Sequence, residues 1–214
     1  MTGTPKTLIL GIGNILWADE AFGVRALEAF HARYEVDEDV TVLDGGTQGL
    51  YLVQFVEACD QLLIFDAIDY GLAPGELRVI RDEAVPRFTG AKKMSLHQTG
   101  FQEVLSAADL LGRYPKRLAL IGAQPQDLED WGGPITPPVR AAIGPACETA
   151  RVVLEEWGVV CRERIGATAP LLAHDLDLCA YERRNPDAAP SPRLRDEGPG
   201  DHLDRLPADE CGTA

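Results

Sequence analysis

Thr7-Leu-Ile-Leu-Gly-Ile-Gly-Asn-Ile-Leu-Trp-Ala-Asp-Glu20 is the stretch whose reading decides the fold. Thr7–Ile12 is a continuous apolar run, as expected of a strand buried on both faces. Gly11 and Gly13 then permit a tight turn with close backbone packing. Ala21–Tyr34 follows as a helix, with Val24, Leu27 and Phe30 on one face at helical spacing. A buried strand, a glycine turn and an amphipathic helix open a βαβ pattern.

The pattern continues down the chain. Val40–Leu43 reads as a short strand, and Asp44-Gly-Gly-Thr-Gln-Gly49 as a turn opening a helix through about Cys59. Gln61–Phe65 is the next strand, closed by Asp66. After the turn at Ala73-Pro-Gly75, Glu76–Arg81 resumes a strand. It follows Asp66 too closely for a helical crossover, so it is expected to be an antiparallel hairpin partner. Gln98–Leu111 is helical and Arg117–Ile121 is a strand. Thr136 is the expected N-cap of a last helix to about Trp157, with Pro137 in its first turn and a kink at Pro145. These units predict an α/β three-layer sandwich with a twisted, mostly parallel mixed sheet between helices.

Domain organisation follows composition. The core domain is expected over 1–164. Residues 165–184 are a candidate docked extension, centred on Leu171–Tyr181. Residues 185–214 are expected to be a disordered tail, rich in proline and poor in large apolar side chains.

Hydrophobic residues make up 45% of the 214, enough for a substantial core. Acids outnumber bases 34 to 20, a formal charge of -14. That disfavours nucleic acid and anionic membrane surfaces as partners and is compatible with a basic protein segment. No signal peptide or membrane-length run is visible, so direct membrane insertion is not expected. The five cysteines are far apart and form no C-x-x-C pair. They read as reduced thiols of a cytoplasmic protein.

Three residues carry the chemistry. Glu20, Asp66 and His97 each belong to a segment expected to follow a strand, and His97 stands in Ser95-Leu-His-Gln-Thr-Gly100 ahead of a helix. In an open parallel sheet such segments meet in one crevice at the carboxyl ends of the strands. Two carboxylates and an imidazole would there make an oxygen/nitrogen site for a divalent transition metal. Each also has a plainer reading. Asp19 and Glu20 could serve a helix start, and Asp19 is assigned to capping or salt bridging. Asp44 suits a turn in which its side chain holds backbone amides. The Gly11-x-Gly13 pair resembles a dinucleotide-binding turn, but Leu16 stands where a third glycine belongs.

Taken together, Gly11-Ile-Gly-Asn-Ile-Leu-Trp-Ala-Asp-Glu-Ala-Phe-Gly23, Leu43-Asp-Gly-Gly-Thr-Gln-Gly49, Phe65-Asp-Ala-Ile68, Pro74-Gly75 and Ser95-Leu-His-Gln-Thr-Gly100 resemble the nickel-iron hydrogenase maturation proteases in order and spacing. The resemblance covers roughly Thr7 to Arg164. Leu171–Tyr181 is similar to an extension of the branch serving membrane-bound uptake hydrogenases.

The resemblance implies an endopeptidase that removes a C-terminal extension from the nickel-loaded hydrogenase large-subunit precursor. It implies metal contacts at Glu20, Asp66 and His97, with nickel presented by the substrate and zinc or cadmium able to substitute. The same residues are the candidate catalytic groups, together with Asp44. The metal could mark the substrate, activate water, or leave Asp66 or Asp44 to act as general base in the manner of an aspartyl protease. Two other readings stay open on sequence: a metal-sensing chaperone that binds the precursor without cutting it, and a dinucleotide-dependent oxidoreductase.

Overall fold

The computed structural model describes residues 5–85, 96–172, 176 and 178, with the side chains of 96–99 outside the description. Its centre is a five-stranded sheet built from β1 (Thr7–Ile12), β3 (Val40–Gly46), β4 (Gln61–Ala67), β5 (Leu77–Arg81) and β6 (Arg117–Ala123). The order is β3-β1-β4-β6-β5. All neighbours are parallel except β5 with β6. The expected mixed, mostly parallel sheet is present.

One expectation is corrected. The strand after Gly75 runs antiparallel, but it pairs with β6 and forms no hairpin with β4. The edge of β4 is taken by β6, which is buried from Leu118 to Ala123. β5 carries Arg78 and Arg81 and leaves both and Val79 exposed, which suits an edge strand.

Helices cover both faces. α1 (Phe22–Arg33) and α4 (Pro137–Glu156) bury Phe22, Leu27, Phe30, Val139, Ala150 and Leu154 against Ile9, Leu63, Phe65 and Ile121. On the other face α3 (Leu96–Leu110) buries Phe101, Val104, Leu105 and Ala108 against Leu8, Leu10, Ile64 and Leu120. The helix expected after Gly49 is short: a 3-10 turn at Gly49–Leu52 and then α2 (Val53–Val56). α4 runs on through Pro145. Sequence reading missed a second ladder, in which β2 (Tyr34–Val36) pairs antiparallel with β7 (Cys161–Glu163).

From β1 the chain moves outward to β3, then returns past β1 to β4. That reversal opens a crevice between β1 and β4 at their carboxyl ends, where ligands of open α/β sheets bind.

Of the candidate extension, Leu171 and Leu178 pack against the α1/α4 core, and Arg25 of α1 donates from Nη1 to the Leu176 carbonyl at 2.6 Å. The expected tail, 185–214, lies outside the described residues.

Candidate active site

The loop after β1 is built by close backbone approach. Gly13 has φ 137°, and a Cβ there would strike the Glu20 carbonyl oxygen. Gly23, in the first turn of α1, lies against the carbonyls of Ile12 and Phe65, where a Cβ would again collide. These glycines seat the 3-10 turn Ala18–Ala21, which carries Glu20, on the carboxyl ends of β1 and β4. Their work is packing, as the simpler reading of Gly11-x-Gly13 has it.

Asp66 is 3% exposed and lies within β4, opposite Gly122 of β6. The expected end of the strand at Phe65 is therefore two residues early. β6 continues to offer ladder partners, as far as Ala67 opposite Ala123. Side chains alternate along a strand. Leu63, Phe65 and Ala67 face α1 and α4, while Leu62 and Ile64 face α3. Asp66 shares the face of Leu62 and Ile64.

His97 falls in the first turn of α3, so it is helical where a loop was expected. Its side chain is outside the described residues. The backbone position is still informative. Gly100, one turn further on, lies beside Gly49, with a Cβ there 3.8 Å from the Gly49 Cα. α3 thus begins at the carboxyl edge of the sheet, on the face toward which Asp66 points.

Asp44 goes the other way. It pairs with Gly11, whose side-chain direction meets Gly23 and Leu27 of α1. Its Oδ1 accepts the Gly46 N–H at 2.9 Å, the side-chain-held turn anticipated from sequence. Burial pushes its carboxyl pKa up, against the Gly46 hydrogen bond and the nearby charge of Arg25. Asp44 and Asp66 stand one β1 strand apart, ~10 Å across two interstrand spacings, and face opposite sides of the sheet.

Asp19 does far more than cap a helix, contrary to its assignment from sequence. It is fully buried. Oδ2 accepts the N–H groups of Gln126 (2.8 Å) and Asp127 (2.9 Å) and the Thr136 hydroxyl (2.9 Å); Oδ1 accepts the Thr136 N–H at 2.8 Å. Thr136 precedes α4 as expected, but its hydroxyl makes no cap bond and goes to Asp19 instead. Sequence gave no local signal for this, because every donor lies more than 100 residues away.

Tyr70 was also missed. Its ring lies beside the Gly122 position, under the Arg78 guanidinium at 5.2 Å. Burial, and then the negative charge of Asp66, raise its phenol pKa. Its position four residues beyond Asp66 is the only trace in the sequence.

Among the described residues, cysteine chemistry is disfavoured. Burial raises the thiols of Cys59 and Cys147 to about 12 and Cys161 to about 11, which removes the thiolate a nucleophile needs. Among the described residues no three His, Cys, Asp or Glu side chains form a metal-binding group. The described residues also contain no helix long and apolar enough to cross a membrane.

Comparison with known proteins gives one consistent result. The sequence profile described as hydrogenase maturation protease matches residues 24–152. The "Hydrogenase expression/formation protein HupD" of Rhizobium leguminosarum bv. viciae is 66% identical over 187 residues, covering 86% of this chain and 93% of that protein. The "Hydrogenase 2 maturation protease" of Escherichia coli K12 is 46% identical over 156 residues, 72% of this chain and 93% of that one. The solved structure of the hydrogenase maturating endopeptidase HybD from E. coli superposes with a TM-score of 0.70 at 44% identity, covering 74% of this chain and 98% of that chain.

Proposed function

This chain belongs to the hydrogenase maturation protease family and is a peptide-bond hydrolase, and from that premise we propose its substrate and the residues that serve it. The substrate is the hydrogenase large-subunit precursor, and the product is that subunit without its C-terminal extension. The nickel-loaded precursor is the form recognised. Neither non-cutting binding nor dinucleotide chemistry is favoured by relatives of this kind.

The observation that carries the assignment is the position of Asp66. Its carboxylate is almost wholly buried at the crevice where the strand order reverses, a place where a carboxylate costs stability unless a cation or hydrogen bonds serve it. Glu20 sits on the adjoining strand's loop and His97 in the first turn of the helix over the same face. A hard carboxylate pair with one imidazole suits a divalent ion such as nickel, with zinc or cadmium as substitutes. Nickel arrives as part of the substrate, and this chain supplies Glu20, Asp66 and His97 to it.

Hydrolysis needs a group that takes a proton from water as it attacks the scissile carbonyl, and returns one to the leaving amine. Asp66 fits that role better than Asp44. Asp44 faces α1 and commits Oδ1 to Gly46, whereas Asp66 lies on the opposite face, the one that α3 and His97's helical turn cover. The protein works where its precursor is made, in the cytoplasm.

The test is mass spectrometry of nickel-loaded precursor incubated with wild type, Glu20→Gln, Asp66→Asn and His97→Ala. Wild type should release the extension, and each variant should process ~100-fold more slowly or worse while melting as a folded protein. Nickel-free precursor should stay intact. Without the ion, the Glu20 and Asp66 charges oppose closing of the complex; the ion reverses that sign. Equal cleavage of loaded and unloaded precursor would defeat the nickel requirement.

A further inference from the structure

The loop of residues 14–20 and the loop after β6, residues 126–132, form one stiff platform. Asp19 bonds into the second loop through Gln126 and Asp127. The backbones add Ala18 N–H to Asp130 O at 3.2 Å, Asp19 N–H to Asp127 O at 3.1 Å and Gly132 N–H to Leu16 O at 2.7 Å. Trp17 and Trp131 form an isolated antiparallel bridge, and their rings meet edge to face with centroids 5.3 Å apart.

Trp131 is nevertheless 57% exposed. A tryptophan held this firmly loses little entropy on binding, and such residues dominate interface energetics. Asp127, Glu129 and Asp130 lie within four residues of it in the chain, and the first base that follows is Arg140. An indole face and surrounding carboxylates attract the same kind of group, a Lys or Arg side chain. Asp19, which ties the two loops together, shares a 3-10 turn with Glu20, so the platform is continuous in the chain with the proposed site.

We propose that the Trp17–Trp131 platform is a docking surface for a cationic segment of the hydrogenase large-subunit precursor, seated on the exposed Trp131 ring within the field of Asp127, Glu129 and Asp130. The inference rests on the substrate reading above, and adds a recognition element to it. An acidic peptide, a nucleic acid or an anionic membrane would meet repulsion at the same place.

The test measures the affinity of nickel-loaded precursor by calorimetry in an Asp66→Asn background, where cleavage is blocked, and KM for processing in the otherwise unchanged chain. Trp131→Ala should weaken binding about tenfold, with the loss expressed in KM. Trp131→Tyr should recover much of it. Glu129→Lys should weaken binding further at low ionic strength, and high salt should shrink that difference. Leu110→Ser, an exposed apolar change on α3, serves as the control and should change neither quantity. Thermal melts establish that each variant is folded.

Equal affinity and KM for Trp131→Ala and the parent would overturn the proposal. So would Trp131-dependent binding that ignores Glu129→Lys and salt, since the occupant would then not be cationic. If binding depends on Trp131 and on charge while the otherwise unchanged chain leaves the precursor intact, docking stands and the cleavage reading falls. Normal cleavage by Trp131→Ala at unchanged KM gives the reverse.

Discussion

The loop after β1 and the end of β3 each carry an aspartate at the carboxyl edge of the sheet, yet the two acids do different jobs. Asp19 accepts four hydrogen bonds from Gln126, Asp127 and Thr136, and so binds its loop to two distant segments. Asp44 accepts the Gly46 N–H two residues away, and so shapes only its own turn. Both are Asp beside glycine-containing turns. What separates them is the number of donors the rest of the fold brings within reach. An acid held by several donors from distant segments is part of the frame, whereas one that serves its own turn can be altered at small cost.

That contrast can be broken in order of expected effect. Asp19→Ala should be the most damaging, about 4 kcal/mol by urea unfolding, because it strands three part-buried backbone donors and the Thr136 hydroxyl at once. Asp19→Asn should recover part of this, since the amide keeps one acceptor oxygen but turns an NH2 toward N–H groups. A loss below about 1 kcal/mol for Asp19→Ala would mean that water replaces the carboxylate and the frame is not built on it.

Gly13→Ala comes next, at about 3 kcal/mol, from a left-handed φ and a collision with the Glu20 carbonyl. It should also weaken nickel-loaded precursor processing, because Glu20 must move. Unchanged stability would show that the loop relaxes freely, contrary to the rigid frame described above.

Asp44 should respond least. Its folded pKa is raised above the ordinary carboxyl value of 3.8, chiefly by burial. The native state therefore holds this proton more tightly than the unfolded chain does. The resulting penalty is absent below 3.8, grows as pH rises through that value, and is complete above the folded pKa. Asp44→Asn keeps an oxygen for the Gly46 N–H and removes the buried charge. It should stabilise the neutral-pH protein by less than ~1 kcal/mol and flatten this part of the acid limb. A substantial destabilisation would reveal partners for the charge beyond its own turn.

Several elements were legible in the sequence for local reasons. β1 has the expected bounds, Thr7–Ile12, because an uninterrupted apolar run ends at a glycine turn. α4 begins after Thr136 with Pro137 in the first turn, because proline at that position loses no hydrogen bond. Asp66 stood out because a carboxylate closing an apolar run is costly to bury. The motif order also identified the family, since several separated segments agree at once.

The partner of β5 could not be read, because an edge strand's polarity pattern names no neighbour; β6, forty residues later in the chain, fills the place beside β4. Nor could the division of labour between Asp19 and Glu20. Both are acids before a helix, and the donors that claim Asp19 come from the β6 loop and the start of α4.

The sequence alone therefore determined the strands of the main sheet, the three long helices, the family and the acids worth attention, because hydrophobic period, turn residues and motif spacing are properties of neighbouring residues. Only the tertiary structure decided that Asp66 looks toward α3 while Asp44 looks toward α1, that Asp19 joins two loops, and that Trp131 remains exposed on a rigid support. Those outcomes depend on strand order and on which distant backbone groups arrive at one place, and no local pattern encodes either.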